Sequence, residues 1–214
     1  MFKVWGLLAA SMLVAALACW AALPKTATPS GEPQALPVGG NLADLVWPEG
    51  FDAGREWTSI VIHHSATPSA TFEAIRRYHL GLGFEGVGYH FVINNGKAPG
   101  TMDGQIIATA RWLEQRAGAH TLIDRHPEYN SEGIGICLVG HFEEHEPTPK
   151  QMAALEMLVL ALAERYDIPL DRIVGHGELK NTKCPGRLFP LEPFVMDLRQ
   201  AAIRKRLQGA PETP

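Results

Sequence analysis

The run GIGICLV, Gly133 to Val139, contains no charged side chain and no polar side chain beyond the thiol of Cys137. An apolar run of strand length without alternation reads as a strand covered on both faces, hence near the centre of a sheet. Working outward, TSIVIH (Thr58 to His63) is a second short β-branched run and a second buried strand. GYHFVI (Gly88 to Ile93) is a third, followed by a turn at Asn94-Asn95-Gly96. QIIATARW (Gln105 to Trp112) reads as another. Helices separate these runs. Phe72 to Leu82 is one, with Ser69 or Thr71 as its N-cap. Pro149 to Tyr166 is the best marked: Thr148 caps it, Pro149 fits the first helical position, and Gln151 completes a capping box. Leu155, Leu158, Val159 and Leu162 form its apolar stripe. Ile173-Val174 leads into a loop reaching Pro190, and a last helix, about Glu192 to Leu207, buries Phe194, Val195, Leu198 and Ala202. Strands separated by helices define an α/β domain around one sheet, whose strand order this pattern leaves open.

That domain spans about residues 41–209 of the 214. Before it, LPKTATPSGEPQALPVGG (residues 23–40) is a linker, because repeated Pro and Gly prevent helix and ladder formation. Residues 1–22, MFKVWGLLAASMLVAALACWAA, carry one charge, Lys3, ahead of an apolar stretch ending in small residues. This is the pattern of an export signal or an N-terminal membrane anchor. Its length is near the lower limit for a bilayer span, about 17 residues, so cleavage and retention both fit. Cys19 after Ala16-Leu17-Ala18 only loosely matches a lipid-attachment box. The expected location is outside the cytoplasm, in the periplasm or cell envelope, and residues 210–214 are a tail.

With 46% hydrophobic and 20% charged residues, the chain has the composition of a packed domain. A net charge of -4 and the lack of any Lys/Arg run argue against a nucleic-acid partner. Three cysteines are too few for a disulfide framework. Metal-ligand side chains concentrate instead in three places. His63-His64 ends the second strand described above, while His176 and Cys184 share the loop VGHGELKNTKCPG. Imidazole and thiolate suit zinc, and three protein ligands leave a fourth position for catalysis. Nine histidines make chance clusters common, so the pattern alone leaves a surface or core role open for each. The most unusual element is the His-x7-Cys-Pro-Gly string, in which Pro185 and Gly186 hold a turn after the thiol.

These strings together resemble the zinc amidases that include animal peptidoglycan recognition proteins and phage amidases. IVIHHSAT (Ile60 to Thr67), GVGYHFVI (Gly86 to Ile93), GAH (Gly118 to His120), YNSEGIGICLVG (Tyr129 to Gly140) and VGHGELKNTKCPGRLF (Val174 to Phe189) follow the family's order and spacing. The resemblance implies a single α/β domain with a central mixed β-sheet flanked by helices, and a zinc site at one edge of a substrate groove. It implies Zn2+ held by His63, His176 and Cys184, with Tyr89 and Thr182 as catalytic residues. His64, His90, His120 and Asn130 are expected around the groove as substrate contacts. The implied reaction is cleavage of the amide between N-acetylmuramic acid and L-alanine, by a monomer whose partner is peptidoglycan or its fragments. The chain is expected to meet a membrane only through its N-terminal segment.

One departure concerns a neighbouring branch. Some related amidases use Asp as third ligand and a Glu on the central strand as base, whereas Cys184 and Cys137 stand at those places here. The general base is therefore left open, and Cys137 reads most simply as a small buried core residue. Two other functions compete: a binding module that has lost its metal, and a zinc peptidase acting within the stem peptide. The ligand set is complete, against the first, and no HExxH string supports the second. Trp57, Trp112 and residues 122–128 are candidates for shaping the groove, with core packing as the simpler reading of both tryptophans.

Overall fold

The apolar run at Gly133 forms β5 (Gly133–Leu138), buried along its whole length. In this computed structural model, residues 33–36, 40–121 and 126–209 are described. All of them fall within one contact-defined unit, Gly31–Pro214. The N-terminal segment with Cys19, residues 23–32 and 37–39 of the linker, residues 122–125 and the tail lie outside the described residues.

β5 lies inside a six-stranded mixed sheet ordered β1-β4-β3-β5-β2-β6. The other strands are β1 (Gln34–Ala35), β2 (Ser59–His64), β3 (Phe91–Asn95), β4 (Asp103–Ala108) and β6 (Ile173–Gly175). β5 runs parallel to β2 and β3, and β2 runs parallel to β6. β4 is antiparallel to β3 and to β1. The carboxyl ends of β2, β5 and β6 therefore open on one edge, where α/β sheets commonly bind ligands.

Strand parity sorts the side chains. Ile60 and Ile62 of β2, Phe91 and Ile93 of β3, and Ile134, Ile136 and Leu138 of β5 join the larger core. Leu155, Leu158, Val159 and Leu162 of α5 (Pro149–Arg165) and Phe194 and Leu198 of α7 (Leu191–Gly209) complete that side. The opposite face is thinner and packs Val92, Ile107 and Val139 against Ile75 of α2 (Phe72–Gly81). Because side chains alternate across a strand, His63 shares this thinner face with Val61, while His64 points to the other. The ring of His64 accordingly lies against Phe142, a member of the larger core.

The expected helix starts hold. Thr71 caps α2, and Thr148 with Gln151 makes the capping box of α5. Gln151 does more: its Nε2 donates to the carbonyls of Ile93 and Val139, tying α5 to the sheet.

Four expectations need correction. QIIATARW is not one strand: β4 ends at Ala108, and Thr109 caps a short helix, α3 (Ala110–Leu113), by accepting from Arg111 N. Asn94 and Asn95 belong to β3, where the Nδ2 of Asn95 donates to Pro68 O. Val195 and Ala202 are only partly buried. Paired backbone also begins before residue 41: β1 pairs with Ile107 and Ala108, and Leu36 N donates to Ile106 O. A composition rich in Pro and Gly does not exclude two residues with free backbone groups from extending a sheet edge. Short helices α1 (Leu42–Val46), α4 (Glu128–Ser131) and α6 (His176–Leu179) complete the described elements, with a 3-10 turn at Leu170–Arg172. Among the described residues no helix is long and apolar enough to cross a membrane.

Candidate metal centre

Register brings the first two ligand candidates together. Ile62 of β2 pairs with Gly175 of β6, so the next residues, His63 and His176, leave adjacent strands side by side. Their ring centroids are 4.6 Å apart. Cys184 arrives from the loop after α6, with its Sγ 3.7 Å from His63 Nδ1. One ligand atom from each of His63, His176 and Cys184 lies within 4.8 Å of the others. A tetrahedral ion bound at ordinary Zn–N and Zn–S distances separates such atoms by about 3.5 Å, close to the 3.7 Å between His63 Nδ1 and Cys184 Sγ.

The loop is anchored tightly. Gly177 N donates to Cys184 O at 2.6 Å, and a Cβ on Gly177 would stand 2.9 Å from the carbonyls of both Thr182 and Cys184. Gly186 has φ +108°, and its Cα lies against the Phe142 backbone, where a Cβ would come within 2.4 Å. Leu188 N donates to Phe142 O. The backbone N–H of His64 donates to Cys184 Sγ at 3.3 Å, aiming the sulfur at the β2 terminus.

Burial sets the protonation states. His63 is enclosed, and desolvation, then the nearby His120 and His176, hold its pKa well below the usual value. Burial lowers His176 as well. Both are neutral at pH 7, as ligands must be. Burial pushes the Cys184 thiol up to about 12, partly offset by the His64 N–H. Without a metal the thiol keeps its proton, so binding a divalent ion must release it. The sign follows: below about 12 the protonated thiol competes with metal, and affinity should rise about tenfold per pH unit through the neutral and mildly alkaline range. A chelator-competition titration at several pH values checks this. A flat profile would show that Cys184 is not a ligand.

Tyr89 lies beside this group, its ring centroid 5.1 Å from that of His63. Its phenol is pushed well above the usual pKa by burial first, then by Cys137 and Cys184. Tyr89 therefore stays protonated and can donate. Cys137, in register with His63, has 0% exposure, and burial pushes its thiol well above the usual range. It is a neutral thiol under the site and not a carboxylate substitute. Thr182 is exposed, and its Oγ1 accepts from Cys184 N at 3.3 Å, leaving its own O–H free to donate.

The four expected substrate contacts fare differently. His90 has 0% exposure: Gly135 N donates to its Nδ1 and its Nε2 meets Arg116 O, so it has no atom to offer a ligand. Its ring instead packs edge-on against Trp57. His120 is also buried, with Nδ1 3.1 Å from His63 Nε2 and Nε2 3.2 Å from Gly133 O. Asn130 Oδ1 accepts from the backbone N–H groups of His120 and Thr121. His64 Nδ1 accepts from Phe142 N, and burial lowers its pKa to about 4. Trp57 and Trp112 are core residues, donating to Gln115 Oε1 and Val46 O respectively. Thr121, whose carbonyl lies 3.2 Å from His176 Nε2, is not legible as a site residue in the sequence, because a backbone contact leaves no side-chain signature.

A sheet edge carrying two imidazoles and a thiol within reach of one ion defines the class: a mixed α/β protein with a candidate mononuclear metal centre. Comparison with known proteins gives the family. The profile of the N-acetylmuramoyl-L-alanine amidase family (Amidase_2) matches residues 53–187, and the chain belongs to that family. Among its relatives, the Peptidoglycan recognition protein of Trichoplusia ni is 30% identical over 138 residues, covering 60% of this chain and 68% of that protein. The Endolysin of Klebsiella phage KP32 is 31% identical over 144 residues, covering 63% and 84%. Among solved structures, the N-acetylmuramoyl-L-alanine amidase LysC from Clostridium intestinale URNW is similar with a TM-score of 0.57 at 29% identity, covering 72% of this chain and 92% of that one.

Proposed function

We propose that the protein is a zinc-dependent hydrolase of peptidoglycan that cuts the amide between N-acetylmuramic acid and L-alanine. The observation that carries this reading is the convergence of His63, His176 and Cys184, with the Tyr89 ring against that of His63. A donor set of two imidazole nitrogens and one thiolate sulfur fits zinc, and three protein ligands leave room for a reacting group. A zinc ion held there would act as a Lewis acid on the scissile carbonyl and provide a nucleophile from water at neutral pH. The chain's own residues do the rest. Tyr89, kept protonated by burial, donates to the carbonyl oxygen as negative charge develops. Thr182 offers a second donor from the loop that carries Cys184. Neither Cys137 nor His90 takes part in proton transfer at the substrate, since both are fully enclosed.

The relatives named as amidase and endolysin support hydrolysis, and those named as recognition proteins support the same polymer as ligand. We place the activity in the periplasm or cell envelope on the strength of the export signal or anchor read in residues 1–22. The test is digestion of purified cell wall by the zinc-loaded full-length chain. Intact stem peptides with a new L-alanine amino terminus are the expected product. Stems cut internally would assign a peptidase instead, and binding without release would assign a recognition protein.

A further inference from the structure

His120 and Asn130 are expected from the sequence to touch substrate, yet His120 Nδ1 faces His63 and Asn130 Oδ1 holds the backbone N–H groups of His120 and Thr121. The proton positions can be followed bond by bond. Gly133 O can only accept, so the His120 Nε2 that lies 3.2 Å away carries a proton. In the neutral ring His120 Nδ1 is then an acceptor. It lies 3.1 Å from His63 Nε2, which must be the donor. That leaves the lone pair of His63 on Nδ1, the atom 3.7 Å from Cys184 Sγ. The same logic applies to His176. Thr121 O accepts from His176 Nε2 at 3.2 Å, so its lone pair is on Nδ1 as well. Consecutive residues, 120 and 121, thus address both imidazole ligands.

That dipeptide is itself pinned. Asn130 Oδ1 accepts from His120 N at 2.9 Å and from Thr121 N at 3.1 Å, and Asn130 O accepts from Gly118 N at 2.7 Å. The His120 ring occupies a slot lined by glycines. A Cβ on Gly118 would stand 2.3 Å from its Cδ2, and one on Gly135 2.4 Å. The ring can lie against β5 only because both positions lack a side chain.

Resting on the zinc reading above, we propose that Asn130 and His120 are the positioning unit of the metal site. Asn130 holds the 120–121 backbone. His120 then fixes the proton of His63 on Nε2, and the Thr121 carbonyl fixes that of His176, so both rings present Nδ1 to the metal. Partners of this kind orient a ligand and raise its basicity, and their loss typically lowers metal affinity about 10- to 100-fold.

Zinc affinity of the full-length chain, measured by competition with a chelator, tests this. His120→Phe keeps a ring in the glycine slot but leaves the His63 Nε2–H without an acceptor, so affinity should fall about 10- to 100-fold. His120→Asn puts an amide oxygen near the place of Nδ1 and should recover most of that loss. Asn130→Asp keeps an acceptor for both backbone N–H groups and should bind zinc nearly as the parent does, whereas Asn130→Leu should not. Nitrogen-15 spectra of the zinc-loaded parent should show His63 and His176 protonated on Nε2. A folded His120→Phe variant with parental zinc affinity would overturn the proposal, as would a raised KM with unchanged zinc binding. Coordination of His63 through Nε2 in the parent would overturn it whether or not the variants fold. A parent that binds no zinc would instead remove the functional reading on which the proposal rests.

Discussion

Cys184→Ala should lose the metal and the hydrolysis together. The thiolate is the only anionic member of the candidate ligand set, so removing it leaves two neutral imidazoles facing a divalent charge. Its loss also frees the His64 N–H that now donates to Sγ and unties the loop from the β2 terminus. Metal analysis of the purified variant should show far less than one zinc per chain. A ligand that binds only the folded state stabilises it by RT ln(1 + [L]/Kd), about 4 kcal/mol at a thousandfold excess over Kd. The parent should therefore melt at higher temperature as zinc is added, and Cys184→Ala should not respond. His64→Asn is the matched control. His64 lies on the other face of β2, and an Asn oxygen near the place of Nδ1 can still accept from Phe142 N. It should keep both the zinc and the zinc-dependent rise in melting temperature. Stoichiometric zinc in Cys184→Ala would exclude the sulfur as a ligand.

The His63–His64 pair shows how far the sequence alone reaches. Pattern places both at the end of a strand, and only the resemblance to zinc amidases singles out the first. The structure supplies the reason, which is parity: Ile60 and Ile62 commit the even residues of β2 to the larger core, so His63 faces the site. The helix at Pro149 is fully legible because its determinants are local, a cap, a proline and an apolar stripe. The strand-to-helix change at Thr109 is not. QIIATARW has no Gly or Pro to mark the break, and the Thr109 hydroxyl that bonds Arg111 N could equally have pointed away from a strand. The surroundings of His90 and His120 are not legible for a different reason. A histidine in a matched motif reads as a contact, but whether its nitrogens meet ligand or backbone depends on partners distant in sequence. Gly135 is 45 residues from His90, and His63 is 57 residues from His120. No short window contains either pair.

Tyr89→Phe should retain zinc and lose about 100- to 1000-fold in turnover, the usual effect of removing one donor to a developing oxyanion. The loss should fall mainly on kcat, because the hydrogen bond strengthens only as charge grows on the oxygen. A purely structural tyrosine predicts something else. The ring lies against His63 and His79, and Phe keeps those contacts. The hydroxyl's interaction with the Cys137 thiol is then what is lost. A thiol is a weak partner, so that loss would lower the melting temperature slightly and leave turnover near the parent's. Activity within a few-fold of the parent, with zinc intact, would remove Tyr89 from the mechanism. Thr182 supplies the parallel case. Thr182→Ala should also keep zinc and lose turnover, but it removes the acceptor for Cys184 N as well. Thr182→Lys separates those effects. It restores a donor without that acceptor, and the exposed position has room for the longer chain. Partial recovery of kcat in Thr182→Lys over Thr182→Ala would assign the hydroxyl a role as donor, and equal loss in both would assign it to shaping the loop.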